Sequence, residues 1–258
     1  MRAVALHGDV LVCWSRVWQT SCTAVRAGKE ALVIDSPVYP DELELLPTLV
    51  ERAGFGVEGL LATHADWDHL LGRAAFPRAP LGCAETTAAR LAAEPGRPQR
   101  ELRDFDQRHY VERTDPLSLP AAQPLPVPGY CEVGDRELEL HAADGHTSDD
   151  MAVWIAWSGT LVCGDYLSPV EVPVISAGGS LDGYRATLAR LRPLVQRAKA
   201  VVPGHGPVLD RERALDVLAQ DESYLEDLAL RGAGAGLPPG RNGSEQRRVH
   251  AVNADRLA

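Results

Sequence analysis

Apolar runs of strand length alternate with helical patterns in the first third of the chain. Segment 40–54 carries apolar residues at helical spacing, with Pro47 where a kink or a division of the helix is expected. Residues 68–76 are compatible with a short helix and residues 85–94 with a longer one. The strand-length runs lie at residues 10–14, 22–27, 31–35, 57–63 and 79–84.

The same alternation returns in the second half of the chain. Strand patterns lie at residues 136–142, 151–157, 160–165 and 200–202, and helical patterns at residues 180–198 and 210–230. A glycine-rich stretch, 232–240, then leads to a closing helix at 244–258 with Ser244 as its cap. These two halves predict an α/β fold with one domain over 1–230, and a linker and helix over 231–258 that pack on the same domain.

Residues 95–129 differ from the rest, because a highly charged part is followed by a proline-rich part. A connection of this length predicts a lid, an insertion or binding loop, or a disordered segment. Arg108, His109 and Tyr110 within it are candidate substrate contacts, with a solvated charged face as the alternative.

The formal net charge of −10 disfavours nucleic-acid and membrane partners, because no overall positive field would attract phosphate groups. The odd number of cysteines, without a C-x-x-C pair, predicts reduced and mostly buried thiols. The sequence shows neither the pattern of a secretion signal nor that of a membrane span. We expect a cytoplasmic protein that acts on a small molecule and could form a homodimer.

Histidine or aspartate follows four of the apolar runs, in the segments THADWDH, DGHTSDD, CGD and PGHG. Strand ends can meet at one edge of a sheet, so these segments could build a single site. Imidazole and carboxylate are ligands of zinc, iron and manganese, and two adjacent ions need about six or seven of them. Each residue taken alone could be a helix cap or a turn residue. The candidates are His64, Asp66, Asp68, His69, His146, Asp165 and His205.

In order and spacing these segments resemble the metallo-β-lactamase superfamily, over about residues 1–230. The resemblance implies a four-layer αββα sandwich and a site for two divalent metal ions, with zinc as the metal expected from the family. It implies that His64 and His146 bind the first ion and that Asp165 bridges the two. The remaining ligands, which would bind the second ion, are Asp68, His69 and His205.

Asp66 departs from the family pattern, which has a second histidine at this place in its His-x-His-x-Asp-His loop. Flavodiiron members of the superfamily have a carboxylate there, as glutamate, so Asp66 remains a candidate ligand. A third carboxylate, beside Asp68 and Asp165, makes the site less positive and suggests iron or manganese as alternatives to zinc. The resemblance also suggests that Asp35, in LVIDSP, orients a ligand or a loop.

The resemblance implies hydrolysis of a small-molecule thioester, ester or lactone through attack by a metal-bridging hydroxide, as in the glyoxalase II and lactonase branches. Asp68 or Asp165 would orient the proton. Some β-lactamases of the superfamily have a cysteine ligand where this chain has Asp165, which argues against a true β-lactamase. The alternatives are a di-iron redox protein, a phosphodiesterase and a non-catalytic metal-binding module.

Overall fold

The apolar runs form the strands of two β-sheets in the computed structural model, which describes residues 1–119 and 121–257. The first sheet contains β1 (Arg2–His7), β2 (Val10–Trp14), β3 (Ser21–Ala27), β4 (Glu30–Asp35), β5 (Gly56–Ala62), β6 (Leu81–Ala84) and β7 (Gln123–Leu125), in that order. The second contains β8 (Gly129–Val133), β9 (Arg136–Ala142), β10 (Met151–Ile155), β11 (Thr160–Val162) and β12 (Ala200–Val202).

Helices provide the crossovers that parallel neighbours require. Strands β4 to β7 are parallel, as are β11 and β12, whereas the other neighbouring strands pair antiparallel. The crossover helices are α1 (Pro40–Arg52), α2 (Gly72–Ala75), α3 (Glu85–Ala93), α4 (Arg97–His109) and α5 (Leu181–Arg197). Two more helices, α6 (Arg211–Arg231) and α7 (Ser244–Leu257), follow the last strand.

Both sheets are apolar on both faces, and alternate residues of one strand therefore reach different layers. In β2, Val12 belongs to the cluster between the sheets, whereas Cys13 packs in the cluster that contains Leu46 of α1. In β10, Val153 faces the other sheet, whereas Trp154 packs in the cluster formed with α5 and α6. Helices thus cover the outer face of each sheet, which confirms the four-layer αββα sandwich.

Segment 95–129 contains regular structure at 97–109 and 123–125, so the alternative of a disordered segment is wrong for these residues. Helix α4 buries Leu102 and Phe105 while most of its other side chains are charged or polar. Its apolar positions are too few for periodicity in the sequence to reveal it. Residue 120 of this segment and residue 258 of the predicted closing helix lie outside the described residues.

Smaller differences concern helix and strand boundaries. Helix α1 runs through Pro47 without division, because Leu46 and Val50 anchor it on the first sheet. Helix α7 begins at Ser244, and the carbonyl of Gly243 accepts its first hydrogen bond, so Gly243 holds the cap position predicted for Ser244. None of the helices in the described ranges is long and apolar enough to cross a bilayer.

Candidate metal centre

Seven histidine and aspartate side chains meet at one end of the two sheets. The chain leaves β5 into His64 and Asp66, and a 3₁₀ turn at Trp67–His69 follows directly. The structure brings together all the residues named as candidate ligands from the sequence: His64, Asp66, Asp68, His69, His146, Asp165 and His205. Asp66 precedes the 3₁₀ turn, but its side chain makes no capping hydrogen bond, so a cap does not explain it.

His64, Asp66 and His146 form one group of potential ligands, with one ligand atom from each within 4.8 Å of the others. Oδ2 of Asp66 lies 3.8 Å from Nε2 of His64 and 3.5 Å from Nε2 of His146. These distances suit three atoms arranged around a common ion, since each metal–ligand bond is about 2.0–2.2 Å long.

A second group consists of Asp68, His69 and His205. Oδ2 of Asp68 lies 3.7 Å from Nε2 of His69 and 3.5 Å from Nε2 of His205. All three residues are buried, so little of this group is in contact with solvent.

Asp165 lies between the two groups. Its Oδ2 atom is 3.7 Å from Nε2 of His64 and 3.4 Å from Nε2 of both His146 and His205. Its Oδ1 atom is 3.2 Å from Nε2 of His69. One carboxylate thus faces imidazoles of both groups, which is the position a bridging ligand requires.

The outer nitrogen of each histidine has a partner, and this fixes which nitrogen faces the centre. Nδ1 of His69 lies 3.0 Å from Oδ2 of Asp35, and Nδ1 of His205 lies 3.3 Å from Oγ1 of Thr20. Within the described chain, the buried Nε2 atoms of His64, His69 and His146 have no hydrogen-bond partner. Buried donor atoms without partners that point at one another fit a site for metal ions.

Charges in the cluster are strongly coupled. Burial lowers the pKa of His146 and of His205, but neighbouring carboxylates outweigh it and raise each pKa to about 10. The largest single contribution to the rise in pKa is the hydrogen bond with Asp66 at His146 and the charge of Glu171 at His205. Burial raises the pKa of Asp165, but the surrounding imidazoles hold it well below its usual value. The pKa of Asp66 is likewise lowered by the neighbouring histidines and by Arg90, so Asp66 and Asp165 are ionised and bring negative charge to the cluster.

Asp35 ends β4 with a φ of 56° and connects two parts of the site. Its carboxylate accepts hydrogen bonds from the backbone N–H of Thr63 at 2.8 Å and from the Thr63 hydroxyl at 2.9 Å. The same carboxylate faces His69. Asp35 thus holds the start of the loop that carries His64, the orienting role that the resemblance suggests.

Three further residues support the cluster and were missed from the sequence. Arg90 of α3 donates hydrogen bonds to Asp66 and to Asp149, each at 2.7 Å. Asp150 lies with Oδ1 3.5 Å from Nδ1 of His64. The two consecutive aspartates after His146 could have been noticed in DGHTSDD. Arg90 had no such signal, because an arginine in an amphipathic helix is ordinarily solvated.

The open side of the cluster has an apolar and a charged part. Trp18 is 44% exposed, and its ring lies edge-on to Trp67 at 5.8 Å and to Phe105 of α4 at 5.5 Å. Arg97, Glu101, Glu171 and Arg256 line the same opening.

The candidate contacts on α4 lie outside this opening. The His109 ring packs on Phe105 at 4.5 Å, and Tyr110 is 95% exposed. Arg108 bonds the backbone of its own helix, in agreement with the alternative of a solvated face.

The profile of the metallo-beta-lactamase superfamily matches residues 15–205, which include all seven clustered residues. No curated protein matches the chain in sequence. A metallo-beta-lactamase from Pontibacter korlensis superposes with a TM-score of 0.65 at 20% identity, covering 88% of this chain and 99% of that one. A metallo-beta-lactamase family protein from Thermus thermophilus gives a TM-score of 0.69 at 20% identity, covering 98% of this chain and 93% of that one. The matched profile spans most of the chain, which therefore belongs to the metallo-beta-lactamase superfamily.

Proposed function

We propose that the protein is a binuclear metal-dependent hydrolase of a small-molecule thioester, ester or lactone. The observation that carries the proposal is the pair of three-residue groups that share Asp165 between them. When bound, two divalent metal ions would lower the pKa of a coordinated water and polarise the carbonyl group of the substrate, and zinc is the metal expected from the family.

The seven clustered residues would have distinct roles in this reaction. His64, Asp66 and His146 would hold one ion, Asp68, His69 and His205 would hold the other, and Asp165 would lie between them. Asp165 faces imidazoles of both groups and Asp68 faces those of the second group, and we assign to these two carboxylates the orientation of the proton of the attacking water. The reaction then needs no serine or cysteine nucleophile.

The walls of the opening support a substrate with an apolar and a polar part. Trp18 and Trp67 offer aromatic surface beside His205, with the Trp18 ring 6.3 Å from the imidazole. Arg97 and Arg256, together with Glu101 and Glu171, make another part of the same opening charged. An acyl or aryl group on the aromatic side and a polar leaving group on the charged side fit these walls.

A di-iron redox function is the second candidate, and Asp66 favours it. The side chain lies within ligand distance of His64 and His146, so the site offers three carboxylates, which suit harder ions than zinc. Bound iron with a visible absorption band that changes on reduction would support this candidate over the hydrolase.

Elemental analysis and a substrate panel test the proposal together. The protein is produced with zinc, iron and manganese available, its metal content is measured, and it is assayed on acyl thioesters, nitrophenyl esters and lactones. We expect two ions per chain and turnover of at least one class, with both lost in Asp165→Ala and kept in the exposed control Asp135→Ala. Fewer than two ions, or no hydrolysis across the panel, would overturn the proposal.

A further inference from the structure

Arg90 forms a double ion pair beside the candidate metal centre. Its Nη2 atom donates to Oδ1 of Asp66, and its Nη1 atom donates to Oδ1 of Asp149, both at 2.7 Å. The Arg90 side chain is 12% exposed, so water screens these pairs little. The guanidinium therefore holds Asp66 strongly and in one direction.

Asp149 is itself fixed, which makes the position of Arg90 well defined. The other oxygen of Asp149, Oδ2, accepts a hydrogen bond from the backbone N–H of Ala65 at 2.9 Å. Its backbone carbonyl accepts a hydrogen bond from Thr87 of α3 at 2.8 Å. Asp149 thus joins α3 to the loop that carries Asp66, and Arg90 spans the same two elements.

This pairing leaves Asp66 with a single oxygen for a metal. Oδ1 is engaged by Arg90, whereas Oδ2 faces Nε2 of His64 and Nε2 of His146. A carboxylate with both oxygens available can bind a cation through one or both of them. With Oδ1 held, Asp66 offers one donor atom, as a histidine does.

The pairing also offsets charge. A histidine at this place is a neutral ligand, whereas Asp66 adds a negative charge to those of Asp68 and Asp165. The guanidinium of Arg90 lies directly against that added charge. A hydrogen bond from a cation also withdraws electron density from the carboxylate, which makes Asp66 a weaker and more histidine-like donor.

We propose that Arg90 is a positioning residue that makes Asp66 a one-oxygen, charge-compensated ligand, so that the Asp66–Arg90 pair replaces the second histidine of the family motif. The inference rests on the binuclear site of the proposed function. It implies that the centre keeps zinc despite its third carboxylate, and that the identity of residue 90 sets the affinity of the first ion.

Metal titration of Arg90 variants tests the first part of this proposal. Zinc affinity is measured by competition with a chromophoric chelator, and the ligand field is followed by the visible spectrum of the cobalt(II) form. We expect Arg90→Met to weaken one of the two binding steps about 10- to 100-fold and to change the cobalt spectrum, with the other step unchanged. Arg90→Lys keeps a charged donor, so its zinc affinity should fall between that of the wild type and that of Arg90→Met.

A double-mutant comparison tests the replacement itself. Asp66→His alone leaves Arg90 against an imidazole, with Asp149 as its remaining carboxylate partner, and we expect weak binding of the first ion. The double variant Asp66→His/Arg90→Met recreates a neutral ligand without the adjacent cation, and we expect it to recover affinity to within about tenfold of the wild type. Arg100→Met removes an exposed positive charge whose hydrogen bond goes to the backbone carbonyl of Pro95, and should leave metal affinity unchanged.

Each contrary result has a distinct meaning. Unchanged zinc affinity in Arg90→Met, or equal affinity in Asp66→His with and without Arg90→Met, would overturn the role of Arg90. Unfolding of all the Arg90 variants, seen by circular dichroism, would also overturn it by showing a purely structural role. Wild-type protein that binds fewer than two ions would instead reject the binuclear site, and because these readouts need no substrate, loss of hydrolysis alone leaves the inference standing.

Discussion

His146 donates its Nδ1 hydrogen to the backbone carbonyl oxygen of Val174, at 2.8 Å. A carbonyl can only accept, so this bond fixes the tautomer of His146 and leaves Nε2 free to face Asp66 and Asp165. The backbone around Val174 is in turn held by α7, since Asn253 bonds the N–H of Ile175 at 2.9 Å and the carbonyl of Pro173 at 2.7 Å. The C-terminal helix is therefore connected to the candidate metal centre through one intervening loop.

Replacement of Asn253 by leucine should loosen this loop. The change leaves the N–H of Ile175 and the carbonyl of Pro173 without their partner, so we expect the free energy of unfolding to fall by about 1–3 kcal/mol. We also expect weaker binding of one metal ion, because His146 loses its fixed orientation. Urea unfolding and cobalt titration measure the two effects, and the exposed Asn242→Leu is the control. Unaltered cobalt binding in Asn253→Leu would show that α7 does not act on the site.

Gly204 should tolerate no side chain, because it lies against the carboxylate of Asp165, the proposed bridging ligand. A Cβ atom at this position would meet Oδ1 of Asp165 at 1.9 Å and the carbonyl oxygen of Gly164 at 2.2 Å. We expect Gly204→Ala to displace Asp165 and to lower the metal content from two ions to one or none. Elemental analysis after dialysis measures this, with Gly8→Ala as control, since a Cβ there meets nothing within 4 Å. Full metal content in Gly204→Ala would contradict the bridging position of Asp165.

Arg241 stabilises the protein through a buried ion pair with Asp221, with an N–O distance of 2.5 Å. Arg241→Met leaves the carboxylate buried without its partner, and we expect the free energy of unfolding to fall by about 3–5 kcal/mol near neutral pH. Chemical unfolding at several pH values measures the change. A loss below about 1 kcal/mol would contradict this role of the pair.

The cost of Arg241→Met should also grow with pH. Burial raises the pKa of Asp221 to about 7 and Arg241 opposes that rise, so the folded-state pKa in the variant lies higher still. The unfolded value is about 3.9, so the folded state of the variant binds the proton more tightly. This contribution is fully present below about pH 4 and is lost as the pH rises. A destabilisation that is equal at pH 5 and pH 8 would contradict the assignment.

Trp18 should contribute to substrate binding rather than to chemistry. Its exposed ring lines the opening beside His205. Its backbone has a φ of 48°, which a residue other than glycine adopts only when the surrounding structure holds it there. In Trp18→Ala we expect KM for an aryl thioester to rise about tenfold, with a smaller change for an acetyl thioester and a similar kcat. Tyr110→Ala, at an exposed residue outside the opening, is the control. If Trp18→Ala changed KM by the same factor for the aryl and the acetyl thioester, that result would argue against aromatic recognition.

Much of the fold and the seven clustered residues could be predicted from the sequence. The strands of the sandwich are short apolar runs, which are visible as local patterns in the sequence. The ligand motifs directly follow such strands, so their order and spacing can also be read from the sequence. The helix over 97–109 could not be predicted in this way, because Leu102 and Phe105 are the main apolar residues it buries among charges. Its stability comes from packing on Trp67 and Trp18, residues distant in the chain.

The sequence by itself determined that His64, Asp66, Asp68 and His69 belong to one site, since the short segment THADWDH contains them all. Only the tertiary structure decided how Asp66 is used. Its partner Arg90 lies 24 positions away on α3, and Asp149, which holds that arginine, lies a further 59 positions along. Such pairs depend on how a helix is placed against a loop, and no local periodicity records that placement.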